Sequence, residues 1–221
     1  MEYLCLNNNL SYLYGWFAGD GGLYNDTRNR GRLSTEVNFR DKDIIEKLQH
    51  IFDSINIRSS IRMRTRDTNF KFNYQSISLI VYSLEFRKFF MKIGFQEGSK
   101  CLTMSPPIIN FNKNAFARGF IDANGSICIS KNDRLILSIC ITSDSMYSFF
   151  VDMINNICGY KLQLHRNKRD NVYNIVLTNK NAILFIKWLD YENINEISLD
   201  RKREKALELI DKYKIMCKQQ D

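Results

Sequence analysis

The sequence predicts an α+β fold built from two pseudo-symmetric αββαββα halves, and three observations carry that expectation. The segment at 13–21, LYGWFAGDG, returns at 117–125 as ARGFIDANG. Superimposing the copies puts Gly15 on Gly119, Trp16 on Phe120, Phe17 on Ile121, Gly19 on Ala123 and Gly21 on Gly125, at a constant shift of 104 positions. Behind each copy come runs in which polar and apolar residues alternate, the period of half-buried strands. Between those runs lie segments whose apolar residues recur at three-and-four spacing, the stripe of a helix laid on a sheet.

In chain order, the motif helix at 13–21 is followed by strands at 22–24 and 30–39. Ile44, Ile45, Leu48, Ile51, Phe52 and Ile55 then form one helical stripe, with strands at 57–66 and 70–80 and a helix at 84–93 after it. The second half repeats the order: motif 117–125, strands at 126–130 and 134–142, then a stripe of Met146, Phe149, Phe150, Met153, Ile154 and Ile157. Strands at 161–168 and 172–178 and a helix at 180–188 complete it. Asp41 and Asp144 stand just ahead of the striped helices, where a carboxylate caps free amides. The paired Pro106-Pro107 marks a linker at 97–113, so the domains are expected at 1–96 and 114–221.

A hydrophobic content of 44% with 13% aromatics is ample for a core. Lys and Arg outnumber Asp and Glu by 32 to 24, a formal charge of +8 that favours a polyanionic partner over an acidic small molecule. Cys5, Cys101, Cys128, Cys140, Cys158 and Cys217 form no CxxC pair and no zinc-ligand spacing, and read as free thiols of a reducing compartment. No apolar run approaches the roughly 18 residues of a membrane span, and MEYLCLNNNL lacks the features of a signal peptide. An intracellular protein is expected. Plentiful Asn, Ile, Lys, Phe and Tyr beside scarce Ala point to AT-rich coding DNA, and so to an organelle such as the mitochondrion, with the cytoplasm as the other setting.

Gly15 and Gly19, matched by Gly119 and Ala123, make a smooth strip along one helix face. Glycine inside a helix costs about 1 kcal/mol against alanine, a cost tolerated where another backbone must come close. The equivalent helix of the other half is the natural partner; for a single copy, an ordinary buried core helix would serve as well. Asp20 precedes Gly21, expected as a left-handed helix stop, so its carboxylate sits at the negative end of the helix dipole. A divalent cation on that carboxylate and on backbone carbonyl oxygens, Mg²⁺ for such hard ligands, would balance it. A solvated Asp at a frayed helix end is the alternative.

On these residues the chain resembles the LAGLIDADG homing endonucleases, in the form where one chain carries both motifs. The resemblance implies motif helices packed at the interface of the halves, antiparallel sheets forming a DNA-binding saddle, and an acid at the eighth motif position that coordinates the metals hydrolysing the two strands. Carried over, Asp20 holds that position in the first motif and Asn124 in the second, where it departs from the pattern. The implied metal set is Asp20 and Asn124 with Gly19 and Ala123, for Mg²⁺ or for Ca²⁺ or Mn²⁺ in its place. Lys100 in GSKCLT and Lys202 in LDRKREK match the family's basic residues at the edge of the active site, which polarise water or steady the developing phosphorane charge. Asn is nearly isosteric with Asp but neutral, so the fold is expected to survive while at least one strand cut is crippled. Asp122, about 200° around the helix from Asn124, is not expected to replace it.

Alternation supplies the candidate DNA-binding residues. In the first half they are Arg28, Arg30, Arg32, Ser34, Glu36, Asn38 and Arg40, then Arg58, Ser60, Arg62, Arg64 and Arg66, then Lys71, Asn73 and Gln75, with Phe70, Phe72 and Tyr74 on the opposite side. In the second they are Ser126, Cys128, Ser130, Arg134, Ser138, Lys161, Gln163, His165, Asn167 and Arg169. An ordinary solvated face mixes signs; the first-half set is rich in the Arg, Asn, Gln and Ser that grip phosphates and read base edges. The function expected is that of a free-standing, intron- or intein-type, monomeric Mg²⁺-dependent endodeoxyribonuclease on a long asymmetric duplex, in a nicking or inactivated form. An RNA maturase and a catalytically silent DNA-binding protein of the same fold are the alternatives.

Overall fold

Two helices packed face to face run through the centre, and each carries a sheet. The computed structural model describes residues 5–69, 72–98, 102–159 and 161–218. Strand β1 (Cys5–Leu6) passes through the cap Asn7 into α1 (Asn8–Asp20), and β6 (Asn110–Phe111) passes through the cap Asn112 into α4 (Lys113–Asn124). β1 and β6 pair in parallel, β6 lying within the segment expected to be a linker. After α1 come β2 (Gly21–Asn25), β3 (Gly31–Asn38), a 3-10 turn at Phe39–Asp41, α2 (Lys42–Ser54), β4 (Ser59–Arg66), β5 (Tyr74–Val81) and α3 (Leu84–Lys92). After α4 come β7 (Gly125–Ile129), β8 (Leu135–Ile141), α5 (Asp144–Cys158), β9 (Tyr173–Thr178), α6 (Asn179–Trp188) and α7 (Asp200–Lys218). The architecture is α+β, with antiparallel sheets ordered β2-β3-β5-β4 and β7-β8-β9.

The helical stripes are buried as their spacing requires. Ile44, Ile45, Leu48, Ile51 and Phe52 of α2 close one sheet, and Met146, Phe150, Met153 and Ile154 of α5 close the other. One hydrophobic core runs through both halves, and the motif helices are its middle. Residues 10–18 of α1 are buried all round, as a helix enclosed by neighbours on every side must be. No helix among the described residues is long and apolar enough to cross a membrane.

Four expectations fail here. No strand forms at 161–168. There the amides of Leu162 and Leu164 donate to Asn155 Oδ1 (2.7 Å) and Tyr147 Oη (2.8 Å), so side chains take the bonds that a strand ladder would have used. Gly21 is not a left-handed stop: its φ is −125°, and β2 begins on it directly. It is glycine because a Cβ would lie 2.3 Å from the Phe17 ring, where the chain folds back over its own last helical turn. Asp41 makes no capping hydrogen bond and pairs with Arg201 instead. At α5 the cap is Ser143, while Asp144 accepts from Arg166 and Tyr173.

Candidate active site and nucleic-acid interface

The motif helices meet backbone to backbone. A Cβ on Gly15 would lie 2.0 Å from the carbonyl oxygen of Phe116, and one on Gly119 2.2 Å from that of Tyr12. The two contacts are mates under the 104-residue shift. Further along, a Cβ on Gly19 would lie 2.6 Å from Ala123 Cβ and 3.4 Å from Asn124 Cβ, so the helices emerge side by side at the end carrying Asp20 and Asn124.

Each exposed tip opens into a pocket completed by the other half. Asp20 lines one of about 430 Å³ with Trp16, Glu36, Asn38, Arg40 and Asp41, and across the seam with Asp122, Ala123, Gly125, Arg201 and Lys202. Asn124 lines the other, of about 230 Å³, with Phe120, Cys140, Ile141, Thr142, Ser143 and Met146, and across the seam with Ala18, Gly19 and Met104. The 104-residue shift maps one lining onto the other: Trp16 onto Phe120, Asp20 onto Asn124, Glu36 onto Cys140. Four carboxylates and three cations surround the first pocket; among the described residues the second has none. Lys100 lies outside those residues.

The walls fix the tips differently. Trp16 Nε1 donates to Thr35 Oγ1 (3.1 Å), which donates to the carbonyl oxygen of Asp20 (2.6 Å), tying the α1 tip to β3. At the α4 tip, buried Lys202 donates to the carbonyl oxygens of Ile121 (2.6 Å), Asp122 (2.6 Å) and Gly125 (2.7 Å). An ammonium thus gathers three carbonyl oxygens at the end of a helix, where the dipole favours positive charge. Burial lowers the Lys202 pKa to about 8, against the pull of Asp122, Asp41 and Asp20. Asp122 is buried beneath, accepting from Tyr12 Oη (2.7 Å), Tyr191 Oη (2.6 Å) and the Leu199 amide (2.8 Å). Burial raises its pKa, while Lys202 and these three donors hold it down. All its partners are inside the protein, so Asp122 is a strut and Asp20 the exposed acid. Asn124 is seated by its own amide, which donates to the carbonyl oxygen of Cys140 (2.8 Å). A carboxylate at 124 would meet that oxygen as a second acceptor.

Residues 7–94 match the family described as a LAGLIDADG-like domain. That match falls within the first of the two halves. No curated protein matches the sequence. Among solved structures, the chain is similar to a glutamate-to-alanine variant of I-DmoI in complex with its target DNA in the presence of manganese, at 21% identity and a TM-score of 0.55 over 81% of this chain and 92% of that one. It is similar also to the I-LtrWI LAGLIDADG homing endonuclease bound to target DNA, at 15% identity and 0.53 over 96% and 91%. Full-length DUF199/WhiA from Thermatoga maritima matches at 15% identity and 0.55 over 92% of this chain and 60% of its own, so this chain spans less than two thirds of that protein. At these identities the likeness establishes the fold. The whole chain has the LAGLIDADG homing endonuclease architecture, which also occurs in a protein described by another name.

Strand register shows what the sheet of the first half presents. Arg62 pairs with Ser78 and that with Glu36; Arg64 pairs with Ser76 and that with Asn38; Ser60 pairs with Ile80 and that with Ser34; Arg66 pairs with Tyr74. Glu36 organises this face, accepting from Arg66 (3.0 Å) and Ser76 (2.7 Å) with Arg64 at 3.8 Å. The expected face of β4 and β3 is therefore present, but that of β5 is inverted. Gln75 pairs with Thr65 and shares the side of Ile77, whereas Tyr74, Ser76 and Ser78 join the arginines. The alternation of serine with Ile77 and Leu79 carried that signal. Asn73 and exposed Phe72 precede the strand, and Lys71 lies outside the described residues. Arg28 and Arg30 belong to the β2–β3 turn, Arg40 to the 3-10 turn, and Arg58 comes just before β4. Met63, on the opposite side of β4 from the arginines, is exposed.

The second sheet carries no arginine in its strands. Ser126, Cys128 and Ser138 do share a face, but with Ile136, Cys140, Asn174 and Val176. Ser130 and Arg134 close the hairpin, where the Arg134 amide donates to Ser130 Oγ. Lys161, Gln163, His165, Asn167 and Arg169 lie in the irregular segment before β9, and Arg169 is paired with Asp170.

Proposed function

We infer that the chain binds duplex DNA across the arginine-bearing sheet and hydrolyses one of the two strands, using the pocket at Asp20 and a divalent cation. The unequal equipment of the two pseudo-equivalent pockets carries this reading. Among the described residues no group of three or more His, Cys, Asp and Glu side chains is placed to hold a metal. The donors at the Asp20 tip, one exposed carboxylate with the neighbouring carbonyls of Gly19 and Ala123, fit a hard ion that keeps waters and takes substrate phosphates as its other ligands, the habit of Mg²⁺. When bound, such an ion polarises a phosphoryl oxygen and acidifies a water. The chain's own groups do the rest. Arg62, Arg64 and Arg66 grip phosphates and set the register of the duplex, and Lys202 holds a fixed positive charge beside the site where the phosphorane charge develops. Neighbours of this fold seated on target DNA support the reading.

The test begins with a duplex selected from a randomised pool for binding to the purified chain. Labelled on either strand and incubated with Mg²⁺, it is expected to be cut on one strand only; cutting of both overturns the single-site reading. Retained binding with neither strand cut, in Mg²⁺ or Mn²⁺, establishes a second reading instead: a DNA-binding protein without catalysis. The lone exposed motif carboxylate favours that alternative.

A further inference from the structure

At the far end of the arginine-bearing face lies a cleft that includes Arg30 and Arg32 of the expected DNA-binding set. Tyr24, Arg30, Arg32, Tyr82 and Arg87 line it, with Asn29 and Gly31 of the β2–β3 turn. Tyr24 pairs directly with Arg32 across the strands. Both tyrosines are exposed, Tyr24 at 58% and Tyr82 at 49%, and Arg62 donates to Tyr82 Oη (3.2 Å). Four residues of extended strand separate Tyr24 from Asp20, about 13 Å.

Its floor is chemically unfinished. Arg87 is 1% exposed, yet the acceptors of its guanidinium, Asn25 Oδ1 and the Asn29 carbonyl oxygen, are both neutral. Its Nε is buried with no hydrogen-bond partner among the described residues. A buried cation with a donor left over, below two exposed arginines, is a seat for an anion. Exposed rings beside an anion seat add a surface on which a base can lie flat. Inside a duplex both faces of a base are covered by its neighbours, so a ring stacks on a base whose face is open, as in an unpaired nucleotide.

We propose that the Tyr24–Tyr82–Arg87 cleft binds a single unpaired nucleotide, its phosphate toward Arg30, Arg32 and Arg87 and its base against the tyrosine rings. Of its lining only Arg32 also borders a pocket beside Asp20, and binding here does not depend on cleavage. The probes are 5′-AMP and inorganic phosphate, titrated calorimetrically into the whole chain. AMP is expected to bind about tenfold more tightly than phosphate, the preference that one base stack confers. In a Tyr24→Leu/Tyr82→Leu double variant, folded by circular dichroism, that preference disappears while phosphate binding stays; Arg30→Gln with Arg32→Gln weakens both probes. Failure of AMP to bind, equal affinity for the two probes, or an AMP preference unchanged in the tyrosine variant each overturns the proposal. Affinity for blunt duplex, followed by anisotropy in parallel, reports separately on the arginine-bearing face.

Discussion

The seam between the motif helices and the tips beyond it obey different rules. At the seam the halves are interchangeable: Gly15 sits against the Phe116 carbonyl as Gly119 sits against that of Tyr12. A few residues on, the symmetry is gone. The Asp20 pocket is lined with acids and bases, and the Asn124 pocket with Cys140, Ile141, Met146 and two hydroxyls. Backbone contact leaves no latitude, because any side chain there strikes a main-chain atom. The side chains of the tips line open pockets, and can change without unsettling the core. Asn124 is thus one of several differences in its pocket, and its amide is already used by Cys140.

Substitution at the two tips is the sharpest way to break this comparison. Asp20→Asn is expected to reduce strand cleavage by about a thousandfold, the scale for losing a principal electrostatic group, with duplex affinity retained. Asn124→Asp should leave the product nicked and the rate within about twofold. Restoration of double-strand cutting by that one change, read on a supercoiled plasmid carrying the selected site, would show that the second pocket needed only its acid. Next in size is the buried pair. Lys202→Met leaves Asp122 without its cation and is expected to cost about 3–5 kcal/mol in urea unfolding.

The same lysine gives a pH signature. Its folded value of about 8 lies below the ordinary 10.5, so the unfolded chain holds the proton longer. This group's contribution makes stability rise with pH between those values, by at most about 1.4 kcal/mol per unit. Lys202→Met should flatten that rise, and a rise surviving the substitution would assign it to another group. Gly15→Ala and Gly119→Ala probe the seam. Each should destabilise by about 1–3 kcal/mol through overpacking against a carbonyl, and markedly unequal costs would deny its symmetry. The smallest effect expected is on binding: Arg64→Ala should lower the salt slope of duplex affinity by about 1, whereas Ser138→Ala on the second sheet should leave it unchanged.

Much of this was legible in the sequence because the informative features were local and repeated. Small residues four apart, Gly15 with Gly19 and Gly119 with Ala123, declared the seam, and the helical stripes declared which faces are buried. The arginines of β4 declared their face by simple alternation. What escaped depended on partners distant in sequence. Nothing around Asp122 announces that Tyr12, Tyr191 and Leu199 will close over it, and nothing at Asp41 announces Arg201. The segment at 161–168 has the alternation of a strand, yet loses its ladder bonds to Asn155 and Tyr147. The β5 face escapes simple alternation because Phe70, Phe72 and Tyr74 suggest an apolar side where Ser76 and Ser78 continue the polar one.

The short parallel ribbon of Cys5–Leu6 with Asn110–Phe111 carries a consequence out of proportion to its size. One asparagine on each side separates it from the helix that follows, and Asn112 Nδ2 donates to Asn8 Oδ1 (2.7 Å) between them. Both helices therefore depart from a common origin, and the number of residues in each sets where its far end emerges. Deleting a single residue between Asn7 and Asp20 would rotate the carboxylate by about 100° and withdraw it by about 1.5 Å, silencing the chemistry while every contact at the origin stayed intact.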